Sequence, residues 1–435
     1  MPNQPERNLL MDNTEFKKIP GLFIDATCDT LNLMCEKNVP EMVAVVDRCL
    51  ETHQQEGRFL FMGTGANAAN AIHFAADLKK RPTWNLGSSV LPVSTMDLGA
   101  NLAAMLMWGN DSGFKDIFHH ELVSAKVGKN DTIFAYAANG SQESIIKAVM
   151  LARERNAAVI AVTGFDGGEL AKIAHINITV PPQFFSAQMR DEEGAIRGAT
   201  VTVTDIFMHS VIESMREGIK KNHDYQNVIP QVMRATVEAL RSIKIDNNTQ
   251  MVAIVNRFFE TYVKDGRFIL WGNGGSAANS TRFAAELTMR PIWELGTHNM
   301  IPVSALDLTA NMTAMYMWAD ESGFEKVFRN QLESHKVREN DTVVAFSGSG
   351  NSPNVLKAVE LAQKRGASVV GMTAFTGGKL AKMADLSITV PPQFHRELLT
   401  DDDGAVMGAA EAIHGVLMQA MTESLREAIK ANVHG

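Results

Sequence analysis

Two loops and one helix hold the residue types that could do chemistry. Trp271-Gly272-Asn273-Gly274-Gly275-Ser276 joins an apolar run to a helical segment. Its glycines let the backbone approach a ligand, and N–H groups at a helix start favour an anion. Asn273, Gly274 and Ser276 are its candidate phosphate contacts. A second loop, Ser347-Gly348-Ser349-Gly350-Asn351-Ser352, offers hydroxyls on Ser347, Ser349 and Ser352 before another helix. Two such loops on one sheet edge enclose a phosphate from two sides; the competing reading is tight turns and N-caps alone. Elsewhere, His73 and Asp77 stand four apart in a helical stretch and share one face. An imidazole and a carboxylate so placed suit proton transfer, against the plainer reading of a surface or capping pair.

The elements that must position these groups occur twice. Gly57-Arg58-Phe59 returns as Gly266-Arg267-Phe268, an offset of 209, and Ile178 to Phe184 returns as Ile388 to Phe394, an offset of 210. The slip falls before Pro92, where the second copy carries an extra residue near His298. Repeats of this length are domain-sized, so the chain divides into residues 1–222 and 223–435, with a linker at Lys221–Asn227. Helical spacing is expected over Val39 to Glu56 and Met251 to Lys264. Short apolar runs bounded by glycine predict buried strands at Arg58–Met62 and Arg267–Trp271. Helices Ala66–Lys80 and Ser276–Met289 follow. Further strands are expected at Thr132–Ala137, Ala158–Val162 and Ile176–Val180, and at Thr342–Phe346, Ser368–Met372 and Leu386–Val390. Long helices close each copy, over Ala195–Lys220 and Ala405–Ala431. Strand–helix alternation gives an α/β protein with two tandem doubly wound domains, whose ligands sit at the C-terminal ends of the strands.

Composition excludes several classes. Apolar residues make up 45% and charged residues 21%, ordinary for a soluble globular chain, and the net charge is −8. With no long basic run, a nucleic-acid partner is not expected. No apolar run reaches the length of a membrane span and no signal peptide is evident, so a cytoplasmic protein without a membrane partner is expected. The three cysteines, Cys28, Cys35 and Cys49, form no C-x-x-C pair and read as buried thiols.

The second copy resembles a sugar isomerase (SIS) domain, and specifically the phosphoheptose isomerase family. The marks are Gly272-Asn273-Gly274-Gly275-Ser276, Phe283-Ala284-Ala285-Glu286-Leu287, the Ser347–Ser352 loop and Thr376-Gly377-Gly378-Lys379. The resemblance extends over about residues 25–222 and 225–432. It implies a five-stranded parallel sheet in each copy, flanked by helices, and binding of a phosphorylated sugar. Its enzymes interconvert aldose and ketose phosphates. The resemblance places His73, Asp77 and His209 at metal-ligand or catalytic positions, with a fourth position, glutamine in the family, on Val201. Two imidazoles and a carboxylate suit zinc or another divalent ion with one position open; no nucleotide cofactor is implied. The resemblance also makes Asn110 and Asp111 a substrate-contacting pair.

The copies depart from the pattern in complementary ways. The first has Asn67, Ala137, Asn139 and Gln142 where the second has Ser276, Ser347, Ser349 and Ser352. The second has Arg282, Glu286, Glu411 and Gln419 where the first has His73, Asp77, Val201 and His209. Arg282 and Glu286 read as an ion pair, although Glu286 and Glu411 together could still act as a carboxylate pair. Ser276 to Glu286 is ten residues, about 15 Å along a helix. A sugar phosphate spans roughly half that, so one copy's loop does not easily serve its own helix. A composite site is therefore expected, with phosphate on the second copy and chemistry on the first. Arg81 would steer the anion and Glu411 would contact substrate. His298 and His395 are weaker acid–base candidates. The expected function is an aldose–ketose isomerase, in a homodimer that forms a pseudo-tetramer of SIS-like units. A non-catalytic sugar-phosphate sensor or assembly protein is the alternative.

Overall fold

The chain was analysed as a computed structural model describing residues 16–181, 197–295, 303–391 and 407–434. His298 and His395 lie outside the described residues. The first half runs α1 (Ile19–Lys37), α2 (Val39–Gln54), β1 (Arg58–Gly63), α3 (Ala66–Lys80), β2 (Ser94–Asp97), α4 (Leu102–Ser112), α5 (Ile117–Ser124), β3 (Thr132–Ala137), α6 (Glu143–Glu154), β4 (Ala158–Gly164), α7 (Gly168–Ile173), β5 (Ile176–Val180) and α8 (Arg197–Ile219). The second runs α9 (Val228–Val263), β6 (Arg267–Trp271), α10 (Gly275–Leu295), β7 (Ser304–Asp307), α11 (Met312–Ser322), α12 (Val327–Ser334), β8 (Thr342–Ser347), α13 (Pro353–Lys364), β9 (Ser368–Ala374), α14 (Leu380–Met383), β10 (Leu386–Val390) and α15 (Met407–His434).

The halves differ most at their start. Copy one breaks at Asn38, and Pro40 then stands in the first turn of α2. The repeat places Thr249 at the position of Pro40. With no proline to interrupt the hydrogen-bond ladder, α9 continues for 36 residues, and its Pro230 lies in the first turn, where a missing N–H costs nothing. Helical spacing at Met251 to Lys264 thus marks only the end of a longer helix.

Each half carries a five-stranded sheet, ordered β2-β1-β3-β4-β5 and β7-β6-β8-β9-β10, with every pairing parallel. The chain leaves β1 for the edge strand β2 and returns to β3 on the other side of β1. The order reverses there, which opens a crevice at the C-terminal ends of β1 and β3. In the second half the same crevice lies between β6 and β8, and the two glycine-rich loops are the segments that follow those strands.

Each helix on the inner side packs on its own counterpart: α3 on α10, and α8 on α15. One continuous core runs through both halves, joining Phe61, Phe74 and Phe207 of the first to Phe268, Phe346 and Ile413 of the second. Two smaller cores fill the outer faces of the sheets. The seam between the copies is therefore hydrophobic interior, and the polar residues buried in it have a fixed place.

Candidate functional site

Four side chains of the first half meet in the seam. His73 and Asp77 lie one turn apart on α3, and His209 projects from α8. His73 Nε2 is 3.4 Å from Asp77 Oδ2, and His209 Nδ1 is 3.5 Å from the same oxygen. The two imidazoles cross edge to face at 4.8 Å between centroids. Arg81, one turn beyond Asp77, places Nε 2.8 Å from Asp77 Oδ2. Arg81 is therefore part of the cluster and not a solvated helix end.

The second half completes the group. Glu411 on α15 accepts a bond from Arg81 Nη2 at 3.0 Å, and its Oε2 lies 3.7 Å from His73 Nε2. Its other oxygen accepts the backbone N–H of Ser276 at 3.3 Å, at the start of α10. A Cβ on Gly275 would lie 2.1 Å from His73 Nε2, so glycine is what lets this loop reach the imidazole. Loop and histidine thus come from different copies and meet within a single chain.

The phosphate-type loops are tied together beneath this point. Asn273 and Asn354 exchange side-chain hydrogen bonds at 3.0 and 2.9 Å, linking the loop after β6 to the start of α13. Gly274 takes φ +61°, a conformation that favours glycine. Ser347 and Ser352 hydroxyls lie 3.1 Å apart, and Ser349 Oγ accepts the Asn351 N–H. Ser276 and Ser347 are buried. In the first half Asn139, at the position of Ser349, accepts the Ser141 N–H in the same way.

Charge is concentrated here. Burial disfavours the His73 imidazolium, but Asp77 and Asp205 outweigh it and hold its pKa well above 6.5. Burial likewise opposes ionisation of Asp77, yet Arg81 and His73 draw its pKa below the usual carboxylate range. Glu213, a turn past His209, is pushed up to about 8 by burial despite Arg81 and Arg216. Asp77, Asp205 and Glu411 outnumber the fixed cation Arg81, which favours a divalent ion. His73, Asp77 and His209 can each offer one ligand atom, all within 4.8 Å of one another and all buried. Among the described residues, His73 Nε2 makes no hydrogen bond of ordinary geometry. Two imidazoles and a carboxylate with a position left open fit zinc.

The other expected residues have different surroundings. Val201 is buried and apolar, and its carbonyl accepts Asn70 Nδ2. The side chain that reaches the cluster from the equivalent position is Glu411, on the other copy. Glu286 does not join Glu411 as a carboxylate pair. It accepts Arg282 Nε at 3.0 Å, Arg282 Nη2 donates to Gln419 at 2.7 Å, and Gln419 donates to Glu423 at 2.8 Å. The arginine fills the place of an imidazole, and with Arg426 Nε 3.3 Å from Glu423 Oε2 this second group neutralises itself. Asn110 and Asp111 are exposed at the end of α4, bonded to each other at 2.8 Å. The residue that sequence reasoning missed is Asp205, 1% exposed, with Oδ1 3.3 Å from His73 Nδ1 and 3.4 Å from His209 Nε2. Its signal was the four-residue step to His209 within an apolar stretch.

Comparison with known proteins identifies the domain family. The SIS domain family matches residues 22–164 and again 232–374. The phosphoheptose isomerase of Rhodospirillum rubrum is 42% identical over 126 residues, covering 29% of this chain and 64% of that protein. That of Mycobacterium tuberculosis is 36% identical over 179 residues, 41% of this chain and 82% of its own. These alignments are about the length of one copy. Over the whole chain, the C-terminal domain of glucosamine-fructose-6-phosphate aminotransferase from Francisella tularensis superposes with a TM-score of 0.54 at 10% identity, covering 97% of each, a likeness of fold alone. Two parallel sheets joined through a shared core, each with an SIS match, make this chain a tandem member of the SIS domain family.

Proposed function

We propose that the chain is an aldose–ketose isomerase of a phosphorylated sugar, working through an enediol at one composite site. The carrying observation is the contact between His73 and the Gly275–Ser276 helix start, which sets first-copy acids and bases against second-copy anion loops. The hydroxyls of Ser276, Ser347, Ser349 and Ser352 bind the phosphate with nearby backbone N–H groups. Asp77, kept ionised by Arg81, takes the proton from C2 of the aldose and returns it to C1. The proton that leaves the C2 hydroxyl and reaches the C1 oxygen would be carried by His209 where its ring holds no ion and by water where it does, so the sugar gains and loses no atoms. His73, His209, Asp77 and Glu411 would hold a divalent ion, zinc by their chemistry, which would stabilise charge developing on oxygen.

A second reading is a sugar-phosphate sensor without turnover. In its favour, Arg81 already occupies both Asp77 and Glu411, and a fully paired carboxylate is a weak base. One experiment separates them. Pentose, hexose and heptose phosphates are incubated in D2O with zinc and followed for deuterium at C1 and C2. Exchange is expected for one sugar class. Asp77→Asn should abolish it, and Ser347→Ala with Ser352→Ala should raise KM about tenfold with less effect on kcat. Binding without exchange for every sugar would establish the sensor instead.

A homodimer is proposed as well. Helices α4 and α11 bury no residue, and Leu102, Leu106, Met107, Tyr316 and Met317 are each at least 63% exposed. The same apolar face occurs in both copies, so a second chain would meet it with an equivalent face. Asn110 and Asp111 lie on α4, which ties their proposed substrate contact to this pairing. Among the described residues no helix is long and apolar enough to cross a membrane.

A further inference from the structure

We infer that Asp205 is a positioning carboxylate that fixes which nitrogen each imidazole turns toward the ion, Nε2 for His73 and Nδ1 for His209. The inference rests on the divalent-ion reading given above. Each imidazole stands between two carboxylates. His73 has Asp205 at Nδ1, with Asp77 and Glu411 at Nε2. His209 has Asp205 at Nε2 and Asp77 at Nδ1. A neutral imidazole carries one N–H, and the carboxylate that accepts it decides which nitrogen is free to ligate. Asp77 Oδ2 is already held 2.8 Å from the Arg81 guanidinium, whereas the ion pairs of Asp205 among the described residues are with the two imidazoles, at the nitrogens remote from Asp77. Both imidazoles therefore donate to Asp205, which leaves the nitrogens near Asp77 as the ligating pair.

The duplication supports the assignment. The residue equivalent to Asp205 is Gly415, in the copy where arginine and glutamine replace the imidazoles, so carboxylate and imidazoles were kept or lost together. The two positions also touch across the seam: a Cβ on Gly415 would lie 3.3 Å from Asp205 Oδ2. Glycine there leaves the Asp205 carboxylate its place between α8 and α15.

The test uses the full chain with zinc. In 15N-histidine-labelled wild type, long-range proton–nitrogen spectra should show His73 metallated at Nε2 and protonated at Nδ1. His209 should show the reverse, with signals assigned from the His73→Gln and His209→Gln spectra. Chelator competition should show Asp205→Asn losing about 10- to 100-fold in zinc affinity, while the metal-free protein keeps its melting temperature. Zinc on His73 Nδ1 or His209 Nε2 in the wild type would overturn the inference, and that measurement needs no variant to fold. An Asp205→Asn affinity within about threefold of wild type would also overturn it while leaving the metal centre standing. A wild type that binds no zinc would remove both.

Discussion

Gly275→Ala tests the composite arrangement with one added methyl group. Its Cβ would lie 2.1 Å from His73 Nε2 and 2.5 Å from Glu411 Oε2, where an ordinary contact begins at 3.4 Å. The imidazole would have to retreat by 1.3 Å, the difference between those values. It has little room, being 3% exposed, stacked on Phe74 at 5.3 Å and crossed by His209. The backbone itself accepts alanine, because Gly275 opens a helix whose counterpart in the first copy opens on Ala66. Any loss is therefore steric. Overpacking of this kind costs about 1–3 kcal/mol in stability. Displacing a catalytic group by about 1 Å lowers turnover roughly 100-fold. Zinc affinity by chelator competition, deuterium exchange at C1 and C2, and the melting temperature read the three effects. Ala66→Gly is the control: it should cost no more than about 1 kcal/mol and leave zinc binding and exchange unchanged. Wild-type zinc affinity and exchange in Gly275→Ala would refute the claim that the second copy's loop and the first copy's histidine share a site.

Two further outcomes are expected. Asp97 keeps the Gly99 N–H at 3.0 Å, but burial pushes its pKa up to about 6, because Ala71, Ile72 and Gly99 replace the Ser280, Thr281 and Thr309 hydroxyls that serve Asp307. The folded carboxyl therefore holds its proton after the unfolded chain has released it. Its stabilising effect is full below about pH 4 and is lost as pH rises through about 6. Asp97→Asn should flatten that part of the urea-unfolding profile and gain about 1–2 kcal/mol at pH 7; a profile unchanged by the substitution would contradict this. Light scattering should give twice the chain mass, and Leu106→Lys with Tyr316→Lys should reduce it to one chain. A monomeric wild type would end the homodimer proposal.

Eight of the ten described strands were legible from the sequence because each is a short apolar run; the edge strands β2 and β7 were not, since none of their four residues is buried and they carry no apolar run. Their parallel order followed from strand–helix alternation. Comparing the copies also exposed complementary differences: serines stand at 276, 347 and 352 of the second copy, and imidazoles at 73 and 209 of the first. Partners across the seam were not legible. Glu411 and Arg81 are 330 positions apart, and Gly275 meets His73 from the other copy. Nothing in local spacing says which helix faces which, so the sequence put Val201 at the fourth position, while in the fold the side chain that reaches the cluster is Glu411. Arg81 reads as a cation that steers an anion until α15 brings a second carboxylate against it. Asp205 reads as one polar residue in an apolar helix until α3 brings His73 to its other side. Residue types and their local periodicity determined the elements and the available chemistry. The packing of α3 on α10 and of α8 on α15 decided which groups became neighbours, because side chains buried in a shared core have only the partners that helix crossing gives them.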